Sequence, residues 1–452
     1  MKKNKDVNTL LKEDNNNSCS DSQRDILKDP NLMARIIKEV HKFFSGEEDT
    51  IIALVISICT RLVNNCNPES RNLVLSEMSG SGKDRLVRAV CSILLREEKT
   101  YFHRSKLTQE AFTYWHSKED NWSWDGKVVH IEDPTPDLMN CQTMKTIASG
   151  EKRATIVDKQ KAKDISIKGK PNLIITTFEG FAELELIRRY PFIHMDKSDS
   201  LTKQVKNEVA RMYQGEKSIE LDKVLHSALS RGLIQHSVVI PFAKELVSYF
   251  PDRLIMRTHF RRFLDYISAS ACLYQYQREK DDNNRIKATW DDYEMARITY
   301  LKSVSNDTHI SLNSDQEELI RILRRSSNPM FVSDIHEKIP KSRDWIYKNC
   351  EILKRYDIIK QGSMFKADAN KNVTTYVLSG CLRSFDLPYR EVVWLSRFSP
   401  ELKIIDDRRV KDGYNRIFAI YYNKTNKTIQ PKEKDKKTTT DNHRQPNNNK
   451  NK

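Results

Sequence analysis

The sequence predicts a mixed α/β fold, with a parallel-sheet core flanked by helices and a smaller unit of helices followed by strands near the C-terminus. Three observations predict it. From residue 71 onward, short β-rich runs at Asn72–Ser76, 127–131 and 172–176 alternate with longer amphipathic stretches, the pattern of a parallel α/β sheet. The first of these runs leads into a Gly/Ser-rich turn and then a helix. Residues 313–380 show helical spacing first and two β runs afterwards.

Composition sets the outer bounds. The chain has 452 residues, which at about 150 residues per domain suggests three folded units. Hydrophobic residues make up 38% and charged residues 31%, so real cores under a polar surface are expected. The 77 Lys and Arg outnumber 62 Asp and Glu, for a net charge of +15. That excess favours an acidic partner, and nucleic acid is the commonest one.

Several classes are excluded at this stage. The longest apolar run, 51–59, is far short of the ~20 residues a membrane helix needs. The basic N-terminus is not followed by an apolar segment, so no secretory signal is expected. The cysteines at Cys19, Cys59, Cys66, Cys91, Cys141, Cys272, Cys350 and Cys381 form no CxxC pair and read as reduced thiols rather than a disulfide frame or zinc site. The expectation is a soluble, cytoplasmic, basic protein with no membrane partner.

Along the chain, residues 1–30 are polar and predicted disordered. Residues 31–70 form a helical N-terminal segment, with Leu32, Ile36, Ile37, Val40 and Phe44 on one face. The α/β core spans 71–215, a helical lid or linker 216–310, and the α-then-β unit 312–380. An extension over 381–423 has no assigned role. The tail 424–452 is predicted disordered; its nine Lys or Arg against three acids add phosphate attraction or simply solubility.

The turn after the first strand reads Ser79-Gly80-Ser81-Gly82-Lys83-Asp84. A strand, a Gly/Ser turn, a Lys and a helix make a P-loop, in which backbone N–H groups surround phosphates and the Lys reaches their oxygens. Ser79, Gly80, Ser81, Gly82, Lys83 and Asp84 are therefore candidate ATP-binding residues. Two positions depart from the usual pattern. Glu77 stands where the first Gly belongs, and Asp84 replaces the hydroxyl residue that holds Mg²⁺. Asp84 can ligate Mg²⁺ through oxygen, although its charge also repels phosphate. An ordinary Gly-containing strand–helix turn is the alternative.

Such a loop needs an acid on a neighbouring strand. Val128 to Ile131 ends in Glu132 and Asp133, which are candidates to activate water, with Glu132 joining Asp84 as a candidate Mg²⁺ ligand. The next strand ends in Thr176, a candidate γ-phosphate sensor. Arg188 and Arg189 precede a further apolar run, and Arg189 is a candidate arginine finger for a neighbouring subunit. Its alternative role is to satisfy the carbonyls at a helix C-terminus.

In this order the pieces resemble AAA+-type P-loop ATPases, and more closely the primase- or helicase-like ATPases of phages, plasmids and other mobile elements. The residues carrying the resemblance run from Ser79 to Lys83, Ile131 to Asp133, Ile147 to Glu151, Ile165 to Pro171 and Leu173 to Thr177. They continue through Met195-Asp196, Arg257 to Leu264, Ala271 to Arg278 and Asp291 to Tyr293. The resemblance covers about 70–380. It implies a P-loop NTPase core, a helical lid, a C-terminal winged helix, ATP and Mg²⁺ as cofactors, DNA and replication proteins as partners, and assembly of the chain into a ring or filament. No cysteine cluster accompanies a primase-type zinc finger, so primer synthesis is not implied.

In the lid, Arg257, Arg261 and Arg262 are candidates for a further nucleotide contact or ordinary surface residues, while Phe260, Phe263, Leu264 and Ile267 read as core. In the C-terminal unit a third helix opens near Lys341, with Ile346, Cys350 and Leu353 inward. Arg343, Tyr347 and Lys348 then point outward, and Lys341, Lys366 and Lys371 lie nearby as candidate DNA contacts. Nine Lys or Arg against four acids over 338–371 favour DNA over a protein-binding use of the unit. Three readings follow: an ATP-dependent DNA motor in replication of a mobile element, a DNA-binding switch or initiator that scarcely hydrolyses ATP, and a non-enzymatic adaptor.

Overall fold

A computed structural model of the chain describes residues 20–77, 80–109, 111–115, 122–150, 153–158, 161–166, 168–178, 189–196, 198–214, 220–250, 256–304, 314–326, 328–355, 358–366, 370–378 and 387. The chain divides into two compact units, 1–404 and 405–452, and every described residue belongs to the first. Ser79, Arg188, residues 1–19, the tail 424–452 and all of 381–423 except Leu387 lie outside the described residues.

The α/β expectation holds as a mixed fold built on a five-stranded parallel sheet. Its strands are β1 (Asn72–Ser76), β2 (Tyr101–Arg104), β3 (Val128–Glu132), β6 (Asn172–Thr177) and β7 (Phe192–Ile193), in the order β2-β3-β6-β1-β7. β1 is buried at every position and lies between β6 and β7, which explains why it reads as an unbroken apolar run rather than an alternating one. Between β3 and β6 the chain inserts an antiparallel hairpin, β4 (Arg153–Asp158) with β5 (Lys161–Ser166). The sequence reading placed a strand at neither this hairpin nor β2, because Tyr-Phe-His-Arg at β2 shows no apolar alternation.

Helices precede the sheet, connect its strands and follow it. These are α1 (Asp21–Leu27), α2 (Leu32–Val40), α3 (Glu48–Cys59), α4 (Lys83–Leu94), α5 (Ala111–Tyr114), α6 (Pro136–Asn140), α7 (Gln142–Ser149), α8 (Asp199–Tyr213), α9 (Lys223–Gly232), α10 (Met256–Leu273) and α11 (Trp290–Ser303). α3 is buried from Thr50 to Cys59, as a helix apolar all round must be. It packs on α10 and α11, and α1 packs on α9. The segments 31–70 and 216–310, separate in the sequence reading, are therefore two parts of one helical layer. Region 216–310 also contains the short parallel pair β8 (Val238–Val239) and β9 (Ile286–Lys287), where only helix was expected.

Two further expectations are corrected here. Disorder through residue 30 gives way to α1, because Ser20 and Gln23 form a reciprocal capping box and Leu27 is fully buried. In α10, Phe263 and Ile267 are core, but Phe260 and Leu264 are only half-buried. The fully buried member of the arginine group is Arg262, while Arg257 and Arg261 are exposed.

The C-terminal unit comprises α12 (Ser314–Arg325), β10 (Met330–Phe331), α13 (Val332–His336), α14 (Arg343–Arg355), β11 (Ile359–Lys366) and β12 (Lys371–Leu378). Its antiparallel sheet has the order β10-β12-β11. Leu319, Leu323, Ile335, Ile346, Cys350, Leu353 and Ile358 form its core, each fully buried apolar side chain contributing about 1.5–3 kcal/mol. No helix among the described residues is long and apolar enough to cross a membrane.

Candidate functional site at the carboxyl end of the sheet

Ligands of open α/β sheets sit beyond the carboxyl ends of the strands, where neighbouring connections part to opposite sides. β1 occupies that place, since the chain leaves it toward β2 on one side and returns to β7 on the other. After β1, the Glu77 N–H donates to the Thr177 carbonyl at 3.1 Å, tying the start of the turn to β6. Gly80 and Gly82 then adopt φ of 86° and 84°, a region that glycine enters without the Cβ penalty. At Gly82 a Cβ would also lie 2.8 Å from the Phe44 ring, whereas at Gly80 it would meet nothing within 4 Å.

α4 starts at Lys83, so its first N–H groups point back to the turn without intrahelical partners. The Lys83 side chain is 4% exposed, and its Nζ lies 3.8 Å from Asp133 Oδ1 and 3.9 Å from Asp84 Oδ2. Among the described residues, Ser81 Oγ and Asp84 Oδ1 are buried without a hydrogen-bonding partner. Buried polar atoms are rarely left so, and a phosphate with its cation is a chemical match for this set of a hydroxyl, a carboxylate, an ammonium and free N–H groups. On that observation the residues fit the ATP and Mg²⁺ expectation.

The two acids after β3 diverge. Asp133 turns out of the strand at φ 40°, its N–H donating to the Thr176 carbonyl at 2.7 Å, and its carboxylate is mostly exposed and faces Lys83. Glu132 points to the other side, 2.8 Å from His103 Nε2 and 3.7 Å from Arg88 Nε. Of the two acids, Asp133 is the one that the structure brings to Lys83, its left-handed turn swinging it out of the strand, while Glu132 meets His103 and Arg88.

Thr176 is fully buried, with Oγ1 3.1 Å from His130 Nε2, so its hydroxyl is engaged beneath the crevice rather than in it. Arg189 donates from Nη1 to the Lys145 carbonyl at 2.6 Å, in the middle of α7.

Sequence reasoning missed His103. It becomes Glu132's neighbour only because β2 and β3 align in register, with His103 opposite His130. Ligating atoms of His103, His130 and Glu132 lie within 4.8 Å of one another. His130, however, is already engaged through both nitrogens, with Tyr101 Oη at 3.0 Å from Nδ1. Burial, then the nearby His103 and Arg88, push the His130 pKa well below the ordinary imidazole value, so it is neutral.

On the C-terminal unit, Arg343, Tyr347 and Lys348 are exposed on α14, as their spacing predicted. Lys341 pairs with Asp315 at 2.7 Å, Lys366 donates to Ser333 Oγ at 2.6 Å, and Lys371 is exposed at the start of β12. No protein-family model matches the chain, and no curated protein matches it.

Proposed function

We propose that the chain is a P-loop ATPase with a winged-helix DNA-binding unit, an ATP-dependent DNA motor or remodelling enzyme of the AAA+ type that works in DNA replication of a mobile element. The observation that carries the reading is the turn after β1, where Lys83 opens a helix behind two positive-φ glycines and beside Asp133, with Ser81 Oγ and Asp84 Oδ1 buried and unpaired. The strand order supports it, because β6 separates β1 from the acid-bearing β3, as expected of ATPases with an extra central strand.

Lys83, the turn's N–H groups and Asp84 would hold the triphosphate and its Mg²⁺, which supply charge neutralisation for phosphoryl transfer. Asp133, exposed and close to Lys83, would orient water and accept its proton at a carboxylate oxygen. The exposed face of α14 supplies Arg343, Tyr347 and Lys348 for DNA, with Lys371 near the wing. Subunits of a ring or filament, and other replication proteins, are the partners this activity calls for.

ATP hydrolysis by wild type and Lys83→Ala, with and without single- and double-stranded DNA, tests the proposal. DNA-stimulated turnover that falls at least about 100-fold in the variant is expected, the scale of losing a major electrostatic contact to the transferred group. Turnover unchanged by Lys83→Ala would sink it.

A second reading, a nucleotide-binding switch or initiator with little turnover, is favoured by one observation. Glu132 is drawn to His103 and Arg88 and Arg189 to Lys145, leaving fewer groups free for catalysis. A rise in hydrolysis in Asp84→Thr would select the switch; a loss would make Asp84 a working Mg²⁺ ligand.

A further inference from the structure

The hairpin of β11 and β12 carries more than cations. Its ladder runs from Ile359 opposite Leu378 to Lys366 opposite Lys371, and the outer strand is exposed from Lys360 through Phe365. Near the far end, Met364 and Phe365 are 44% and 61% exposed. They sit opposite Val373 and Asn372, two and one ladder positions inside the closing lysine pair respectively. Consecutive strand residues face opposite sides, so the two apolar side chains flank the end of the ribbon. Single exposed apolar residues are ordinary on protein surfaces. Two in succession near the described end of the β11–β12 ladder, beside lysines, form a feature with a direction.

Two occupants suit an exposed ribbon. One is a strand from a second copy, added along β11, which is the edge of its sheet. Lys360 and Lys366 stand at either end of that edge, and edge lysines discourage strand addition, since a second copy would bring its own lysines into register. The same charges suit phosphate. Lys371 is exposed opposite Lys366 at the described end of the ladder, Lys366 Nζ is held by Ser333 Oγ, and α14, which packs on β11, adds Arg343 and Lys348 to the exposed surface of the unit.

A continuous duplex offers such a surface phosphates and groove edges. A junction between single and double strands also offers an unstacked base face, and aromatic or apolar side chains bind those faces with little regard to sequence. We infer that Phe365, seconded by Met364 on the opposite face of the ribbon, is a stacking wedge for the single-/double-strand junction of DNA, with the exposed Lys371, Arg343 and Lys348 holding nearby phosphates. The inference rests on the DNA-binding reading above and specifies its substrate as a fork rather than a plain duplex.

Fluorescence anisotropy with the full-length protein tests it, using a forked DNA and a continuous duplex of the same paired sequence. Wild type is expected to bind the fork about 10-fold more tightly, within the range of one base–aromatic stack. Phe365→Ala removes that preference and leaves duplex affinity unchanged, Phe365→Trp keeps it, and Lys371→Ala weakens both complexes alike. Equal wild-type affinity for fork and duplex, or equal weakening of both by Phe365→Ala, overturns the wedge while leaving DNA binding intact. Failure to bind either DNA removes both readings. If Phe365→Ala instead converts a dimer to a monomer in sedimentation, the ribbon serves a second copy and the inference falls.

Discussion

In the helical body, Asp292 accepts hydrogen bonds from Arg278 Nε and Nη2 at 2.8 Å each, and a further one from Ser270. In the turn after β1, Asp84 Oδ1 is buried with no hydrogen bond among the described residues, its other oxygen lying 3.9 Å from Lys83 Nζ. The other buried carboxylates of the helical body follow Asp292: Glu294 is forked by Arg297, Asp265 accepts from Ser70 and Asn67, and Glu39 meets His226 and Lys42. Around the turn after β1, Ser81 Oγ and Asp84 Oδ1 are left over. Among these buried carboxylates, charge that is paired internally holds the fold together, whereas an oxygen left unpaired costs stability.

The largest expected effect breaks the paired side. Arg278→Ala strands Asp292, whose side chain is 0% exposed, and is expected to cost about 3–5 kcal/mol in chemical denaturation. Asp84→Asn removes charge from the unpaired side, and the same measurement should show no loss of stability. If both variants destabilise equally, the distinction between the two regions does not hold.

Two carboxylates in the helical body titrate in opposite directions. Burial raises Glu39, but hydrogen bonds from His226, Lys42 and the Asp222 N–H outweigh it and hold the pKa at about 2. Burial of Asp265 outweighs Ser70 and Asn67 and leaves it at about 6. A depressed carboxyl contributes stability above its ordinary value of 4.5, lost as pH falls toward 2; a raised one contributes below its ordinary 3.8, lost as pH rises through 6. Melting temperature against pH should therefore lose its acid slope in Glu39→Gln. Asp265→Asn, which keeps an oxygen for Ser70 and Asn67, should flatten the profile between pH 4 and 6. Unchanged profiles would show that neither carboxylate controls its region.

The smallest effect separates the two glycines of the turn. Either alanine variant costs about 1–2 kcal/mol for a positive φ. Gly82→Ala also pushes on Phe44, so it should melt at a lower temperature than Gly80→Ala.

The sequence by itself determined the local pieces. β1, the glycine turn, the helix that follows it and the inward spacing of Ile346, Cys350 and Leu353 follow from neighbours within a few residues, because apolar periodicity and glycine's freedom at positive φ act locally. The charge balance and the outward face of α14 were legible for the same reason. Only the tertiary structure decided which distant pieces meet. It set the strand order, joined residues 31–70 to the helices after 216, turned Asp133 rather than Glu132 toward Lys83, and placed His103 against Glu132. Those outcomes depend on strand register and on the packing of surfaces far apart in sequence, and a register shift of one residue reverses the face of every side chain on a strand.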